Sequence, residues 1–181
     1  MAEHVRPDRG DIERSGSVLR PADGQGTQQA TLVIIKPDAM QKALTGTVIA
    51  RLDPLRLEII GAKMVRVTRK QAEEHYKHIR AKPFFEETVS HLMGALHGVN
   101  AVLMLVYWGQ DAIERVRQAA GATNPEKADP ASIRGGMGRN TASGLMENVL
   151  HASSDPVEAE REIRLWFRPG ELLRQPFLAW A

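Results

Sequence analysis

Short apolar runs alternate along the chain with stretches in which apolar residues recur at helical spacing. Three runs that are mostly apolar or rich in β-forming residues predict strands: residues 31–35, 57–67 and 101–108. Two stretches with helical spacing predict helices: residues 45–55 and 110–120. Pro37 closes the first strand because proline lacks a ladder donor, and Gly121 ends the second helix. This alternation predicts a sheet covered by helices.

Two further helices are marked by residues that cap their first turns. Thr68 with Gln71 three residues later is a capping box. The helix after it places one face toward the core: Ala72, His75, Tyr76 and Ile79. Asp155, Pro156 and Glu158 have the character of N-cap, N1 and N3 residues. The helix that they begin carries an apolar stripe: Ala159, Ile163, Trp166 and Phe167.

The first 29 residues differ in composition from the rest of the chain. They hold four arginines and five acidic residues with few aliphatic residues and no aromatic one. Such a stretch cannot bury enough apolar surface to offset the entropy of ordering it. We therefore predict a flexible leader over 1–29 and one folded domain over 30–181. The leader lacks the apolar core of a secretory signal, so a cytoplasmic location is expected.

The composition is that of an ordinary globular protein, and it excludes several classes of function. Of the 181 residues, 43% are hydrophobic and 25% charged, and no apolar run is long enough to span a membrane. The absence of cysteine excludes disulfide scaffolds, thiolate nucleophiles and zinc sites built on sulfur. A net charge of only +2, with no block of five or more basic residues, disfavours nucleic-acid binding.

A glycine-rich run at 135–140 invites comparison with phosphate-binding loops. Its glycines can expose backbone N–H groups to an anion, but the Gly-Lys-Ser/Thr ending of a P-loop is missing. The pattern therefore favours a glycine-rich surface loop.

Histidine supplies the strongest candidate chemistry. His75 and His78 lie three apart on a predicted helix, but no third metal ligand is in view. The pattern therefore favours two ordinary histidines over a metal site, with the ring of His75 half-buried and that of His78 solvated. His151 differs because it precedes the start of the last helix by about four residues, where the helix dipole favours a phosphoryl group. Glu162, two turns into that helix, is placed to hold one ring nitrogen and leave the other free as a nucleophile.

Seven segments follow one another in an order that resembles the nucleoside diphosphate kinase family. They are VIIKPD at 33–38, EHY at 74–76, KPFF at 82–85, GATNP at 121–125, IRG at 133–135, NVLHAS at 148–153 and EIRLWF at 162–167. The resemblance spans about residues 30–173, nearly the whole predicted domain.

The resemblance implies transfer of the terminal phosphate of a nucleoside triphosphate to a nucleoside diphosphate through a phosphohistidine, with ping-pong kinetics. It makes His151 the nucleophile and Glu162 the carboxylate that orients it. Further residues implied to contact phosphates or ribose are Lys36, Tyr76, Arg117, Thr123 and Arg134, of which Lys36 and Tyr76 also count as catalytic. Asn148 would hydrogen-bond the ribose, and Phe84 would stack on the base, a contact that accepts any base.

The resemblance also implies a fold, a cofactor and an assembly. The fold is a ferredoxin-like α+β domain with a four-stranded antiparallel sheet covered by helices. The cofactor is Mg²⁺, bound mainly through the nucleotide's phosphates, so no residue of the chain is assigned as a metal ligand. The assembly is a homo-oligomer, a hexamer or a tetramer.

The chain departs from the family pattern at two insertions and near the nucleophile. About five extra residues lie at 96–101, the first inserted segment, and about four at 141–146, the second. Asp155 stands one position later than the family's acidic residue. An alternative remains open in which the chain binds nucleotides or a protein partner as a regulator with little turnover. The presence of both His151 and Glu162 favours the enzyme.

Overall fold

The computed structural model describes residues 26–178. Its strands are β1 (Gln28–Ile35), β2 (Glu58–Val65), β3 (Val102–Gln110), β4 (Arg139–Asn140), β5 (Met146–Glu147) and β6 (Leu150–Ala152). Its α-helices are α1 (Pro37–Gln41), α2 (Thr45–Leu52), α3 (Arg69–His75), α4 (Phe85–Leu92), α5 (Ala112–Ala120), α6 (Ile133–Met137) and α7 (Pro156–Trp166). Within these residues, no helix is both long and apolar enough to cross a membrane.

Four strands form one antiparallel sheet in the order β2-β3-β1-β6, and β4 pairs with β5 in a separate hairpin. The predicted α+β fold with a four-stranded antiparallel sheet is confirmed. Two predicted strands, 57–67 and 101–108, agree with β2 and β3 to within two residues at each end. The fourth strand is β6, which has only three residues and lies at one edge, beside β1.

The central strand β1 is apolar because it is covered on both faces. Leu32 and Ile34 pack into a core with α3, α4 and α7, whereas Val33 and Ile35 pack into a second core with α2, α5 and α6. All four side chains are fully buried. A strand buried on both faces loses the polar alternation of a half-exposed strand, which accounts for the continuous run in the sequence.

Three predicted boundaries differ from the structure. Strand β1 begins at Gln28, two residues before the predicted domain start, and residues 1–25 of the predicted leader lie outside the described residues. Helix α2 ends at Leu52 because Asp53 and Pro54 start a 3-10 turn. The loop predicted for 135–140 is wrong, because α6 continues to Met137 and β4 follows.

Glycine in α6 serves close packing. Ser132 caps this helix by accepting a hydrogen bond from the backbone of Gly135 at 3.2 Å. A Cβ at Gly135 would lie 2.1 Å from the carbonyl oxygen of Asp129, so only glycine fits there. The glycine therefore lets the helix backbone approach the preceding loop, and the pattern is not that of an open anion-binding loop.

Candidate active site

His151 and Glu162 form a close pair at the edge of the sheet. His151 lies on β6, opposite Ile34 of β1, and its side chain is 15% exposed. Its Nε2 lies 2.9 Å from Oε2 of Glu162, which is buried on α7. A neutral imidazole that faces a carboxylate through Nε2 carries its proton there and keeps the lone pair on Nδ1. No group among residues 26–178 hydrogen-bonds to Nδ1, so this nitrogen is free to attack.

Ser153 fixes the carboxylate of the pair. Its hydroxyl donates to Oε2 of Glu162 at 2.7 Å and accepts from the backbone N–H of Leu32 at 3.1 Å. Asp155 caps α7 by accepting from Glu158, so the helix that carries Glu162 begins at a defined place. Strand, serine and helix together hold the orienting carboxylate before any substrate arrives.

His75 lies against the pair and is completely buried, so the half-buried ring predicted for it is wrong. Its ring packs edge-on against His151 with centroids 4.5 Å apart. Nδ1 of His75 accepts a hydrogen bond from the indole N–H of Trp166 at 3.2 Å. Burial lowers the pKa of His75 well below its ordinary value, so the ring is neutral and its proton is on Nε2.

This tautomer argues against a metal at the pair. Among the described residues, one cluster of potential ligands has atoms within 4.8 Å of one another: His75, His151 and Glu162. Nδ1 of His75 is engaged by Trp166, and Nε2 carries the proton, so neither nitrogen has a lone pair to offer. Two imidazoles also suit Mg²⁺ poorly, because that ion prefers oxygen ligands.

Lys36 presents a buried cation beside the histidine strand. Its ammonium donates to Oδ1 of Asn148 at 2.7 Å, and the amide of Asn148 donates to the carbonyl oxygen of Thr123 at 2.9 Å. Burial lowers the pKa of Lys36 to about 8, although the carboxylate of Asp38 opposes this shift. The ammonium is therefore charged at neutral pH but close to losing its proton.

Arg134 supplies a second buried cation. Its guanidinium donates to the carbonyl oxygens of Gly121 at 2.7 Å and of Leu150, next to the histidine, at 3.1 Å. Burial and the neighbouring charge of Arg117 lower its pKa to about 10, so it stays protonated at neutral pH. Its buried Nε has no hydrogen-bond partner among the described residues. Arg117 itself is exposed at the end of α5, beside Asp155 in the lining of a cavity of about 660 Å³.

Tyr76 lies near the histidine, and the centroids of the two rings are 6.4 Å apart. Burial is the main cause that raises the pKa of Tyr76 above its ordinary value, and the charge of Glu162 is the second. The hydroxyl therefore stays protonated and can donate.

Phe84 stands apart from the other predicted residues. It is 46% exposed at the start of α4, and no hydrogen bond or ring contact joins it to them within residues 26–178. Its ring is therefore open to a planar ligand.

Several residues of this arrangement were not found by pattern analysis. Ser153, Asp38 and Trp166 each contact a predicted residue or its neighbour, and His75 was assigned a lesser role. For Ser153 a signal existed in its position two residues after the histidine, because alternate residues of an extended segment share a face. Trp166 lies 91 residues from His75, a distance at which local patterns carry no information.

The arrangement combines a free imidazole nitrogen with cations that face the same strand. Such a set is suited to receive a phosphoryl group, since phosphoryl transfer needs positioning and charge neutralisation more than covalent chemistry from the protein. The described residues thus include an imidazole nitrogen with a free lone pair, a carboxylate that holds the ring, and buried cations, which are the groups that such a transfer requires.

Comparison with known proteins points in the same direction. A family model described as nucleoside diphosphate kinase matches residues 29–172. A nucleoside diphosphate kinase of Thermococcus kodakarensis is 44% identical over 144 residues, which cover 80% of this chain and 79% of the relative. That of Pyrococcus horikoshii is 42% identical over 148 residues, which cover 82% of this chain and 90% of the relative.

Solved structures show the same similarity in three dimensions. A nucleoside-diphosphate kinase of Borrelia burgdorferi with bound vanadate and ADP, described as a transition state mimic, superposes with a TM-score of 0.74 at 31% identity. That match covers 82% of this chain and 92% of the other. A halophilic nucleoside diphosphate kinase of Halobacterium salinarum in complex with CDP has a TM-score of 0.72 at 35% identity, with 85% and 93% covered.

Proposed function

This chain belongs to the nucleoside diphosphate kinase family, and from that premise we propose that Nδ1 of His151 carries the phosphate between the two nucleotides. The chain transfers the terminal phosphate of a nucleoside triphosphate to a nucleoside diphosphate. The observation that supports the role of His151 is its pairing: Glu162 holds Nε2 at 2.9 Å and leaves Nδ1 free.

In the first half-reaction, the lone pair of Nδ1 forms a bond to the terminal phosphorus. The bond between that phosphorus and the bridging oxygen breaks, and the oxygen leaves as part of a nucleoside diphosphate. The ring of His151 becomes positive, and the carboxylate of Glu162 stabilises that charge while the proton stays on Nε2. A terminal oxygen of a second nucleoside diphosphate then forms a bond to the phosphorus of the phosphohistidine. The bond between that phosphorus and Nδ1 breaks, and its electron pair returns to Nδ1, which restores the neutral ring.

Cations and donors around the histidine offset the phosphate charge. The proposed phosphate and ribose contacts are those of Lys36, Tyr76, Arg117, Thr123 and Arg134, together with Asn148. Phe84 offers its exposed face to the base, an interaction that every base can make. A site that recognises sugar and phosphates and only stacks on the base is expected to accept many nucleotides.

We assign Mg²⁺ to the nucleotide's phosphates. The cluster of His75, His151 and Glu162 does not suit this ion, and the carboxylate of Asp155 is engaged by Ser154 and the backbone of Glu158. When bound, Mg²⁺ would supply further charge neutralisation on the transferring group. The homo-oligomeric assembly and the cytoplasmic location stay predictions.

Labelling with terminally ³²P-labelled ATP tests the proposal. Wild type, His151→Ala and the control Glu160→Gln, a half-exposed position on α7, are incubated with MgATP and denatured. Wild type and the control are expected to retain an acid-labile, base-stable label that added GDP removes. His151→Ala is expected to retain none while it still binds ADP. Label on His151→Ala, or none on a folded wild type that binds ADP, would contradict the role of His151.

A further inference from the structure

The first inserted segment contacts, in the interior, the residue that directly follows the second inserted segment, 50 positions further along the chain. His97 in the first inserted segment places Nε2 3.2 Å from Oε1 of Glu147, which directly follows the second. Both side chains are buried. Gln41 of α1 also donates to the carbonyl oxygen of His97 at 3.0 Å, so the first inserted segment is fastened at two points.

Glu147 pairs with two cations and also faces His97. Lys42 and Arg139 each lie 2.6 Å from its Oε2, and the hydrogen bond from Arg139 is the main reason that its pKa is lowered to about 2. The carboxylate is therefore ionised, and its Oε1, which Arg139 reaches only at 3.4 Å, can accept a closer hydrogen bond from His97. Nδ1 of His97 is buried without a hydrogen-bond partner among the described residues, so the proton of a neutral ring belongs on Nε2, facing Glu147.

A second histidine extends the contact to the catalytic strand. The ring of His91 packs against that of His97 with centroids 4.8 Å apart, and its Nε2 lies 3.0 Å from Oδ1 of Asp38. The other oxygen of Asp38 accepts the backbone N–H of Val149 at 2.9 Å. We call these four side chains, those of Asp38, His91, His97 and Glu147, the latch.

The backbone held by the latch is strained. Val149 has φ of 69°, a left-handed value that β-branched residues rarely adopt, and the N–H of Leu150 bonds to the carbonyl oxygen of Asn148 in a γ-turn. The carbonyl oxygen of Val149 accepts a hydrogen bond from the backbone N–H of Lys36 at 2.9 Å. A turn of this kind persists when its surroundings over-determine it. It also lies between Asn148, which touches Lys36, and His151.

We propose that the latch positions Lys36 and Asn148 for nucleotide binding, and that His97 is the positioning residue through which the inserted segments contribute to the site. Asn148 lies between two residues that the latch holds. His97 contacts the preceding residue, Glu147, and Asp38 accepts a hydrogen bond from the backbone of the following residue, Val149. The inference rests on the proposed function, because Lys36 and Asn148 are nucleotide contacts only there. The inference predicts that loss of the latch raises the KM for nucleotides. The chemical step should be little affected, because Ser153 holds the pair of His151 and Glu162 separately.

The test compares two substitutions of one residue. In His97→Leu the bulk remains but the donor is lost, whereas in His97→Gln an amide N–H takes the place of Nε2–H. We expect His97→Leu to raise the KM for nucleoside diphosphates about 5- to 10-fold, the effect of losing part of a charged hydrogen bond. His97→Gln is expected to stay within about twofold of wild type. Leu96→Ala, an exposed position in the same segment, serves as the control and should leave KM unchanged.

Phosphoenzyme stoichiometry separates positioning from loss of folded protein. A purely structural role would lower the labelled fraction and leave the KM of the remaining enzyme unchanged, and that result would overturn the inference. Arg139→Met provides a second route if His97→Leu does not fold, because Arg139 is mostly exposed and reaches Glu147 from outside. An unchanged KM in Arg139→Met would then overturn the inference.

Failure of the proposed function gives a different result. In that case wild type would carry no label at all. The dissociation constant of ADP, measured by equilibrium dialysis on wild type and His97→Leu, then tests the latch without turnover. A constant that is equal for the two proteins would overturn the inference, and a 5- to 10-fold increase, again about the loss of part of a charged hydrogen bond, would support it.

Discussion

The proposed catalytic pair and the latch each set a histidine against a carboxylate at nearly the same distance. Histidine Nε2 faces a carboxylate oxygen at 2.9 Å in His151–Glu162 and at 3.2 Å in His97–Glu147. The other ring nitrogen makes the difference. Nδ1 of His97 is buried, whereas the side chain of His151 is 15% exposed. The accessibility of the second ring nitrogen therefore decides whether a histidine–carboxylate pair is suited to act as a nucleophile or only as a structural contact.

Removal of each histidine should break this comparison most sharply. His151→Ala is expected to lower kcat by about 10⁴-fold or more, the scale on which a covalent nucleophile contributes. His97→Leu is expected to leave kcat within about threefold, since positional effects on binding fall on KM. Steady-state kinetics with ATP and GDP as substrates measure both values. Similar losses of kcat in the two variants would contradict the division of roles.

Neutralising the carboxylate of the catalytic pair should have the next largest effect. Glu162→Gln keeps the shape of the side chain but removes the charge that stabilises the positive ring, so the rate of phosphoenzyme formation should fall about 100-fold. Rapid-quench measurement with labelled ATP gives this rate. The control is Glu160→Gln, a half-exposed position on α7 that pairs with Arg164 and should react at the rate of wild type.

Alkaline pH should weaken the site through Lys36. Its pKa is lowered to about 8, so the ammonium is present below that pH and is lost as the pH rises through it. Each further pH unit should lower kcat/KM about tenfold, because kcat/KM reports ionisation of the free enzyme. Lys36→Arg keeps its charge and should show a flatter profile between pH 8 and about 9.5. Equal declines in the two proteins would assign the ionisation to another group.

Mild acid should have the smallest effect, and it should act on stability. Burial lowers the pKa of His91, although Asp38 opposes the shift, so this ring stays neutral in the folded protein below the pH at which it ionises in the unfolded chain. The unfolded chain then binds more protons, and the free energy of unfolding decreases as the pH falls below about 6.5, by at most about 1.4 kcal/mol per unit for this group.

Urea unfolding at pH 7.5, 6.5 and 5.5 measures this dependence. His91→Gln keeps an N–H that can face Asp38 but has no ionisation in this range, so its dependence on pH should be shallower. A slope equal to that of wild type would show that His91 does not contribute.

The sequence was most informative where one local pattern determines one element. The run around Val33 and Ile34 predicts β1 because a strand covered on both faces has no polar alternation. The distance from His151 to Glu162 could be judged from the cap at Asp155, which fixes where α7 begins. Strand β6 could not be found in this way, because three residues carry no period.

Contacts between distant segments were beyond the reach of local patterns. The hydrogen bond between His75 and Trp166 joins residues 91 positions apart, and the contact from His97 to Glu147 joins residues 50 positions apart. The inserted segments were recognised only as extra length, and nothing in the sequence indicated that a residue of the first would meet a buried carboxylate next to the second. Similarly, the glycines at 135–138 were interpreted as loop residues because the close approach of Asp129 is a tertiary feature.

The pairing of Ile34 with His151 also determines when β1 can complete its strand pairing during synthesis. The two residues are neighbours in the sheet, but one belongs to the first strand and the other to the last. During synthesis one edge of β1 stays unpaired until more than a hundred further residues have been added. The hydrogen bond from Lys36 to Asn148 also forms only then, because these residues are 112 positions apart. An interrupted chain that ends before β6 would present the unpaired edge of β1, whose last six residues are buried in the folded protein, to other molecules. Such a fragment is expected to be inactive and to self-associate, so premature termination here should yield aggregates and no partial enzyme.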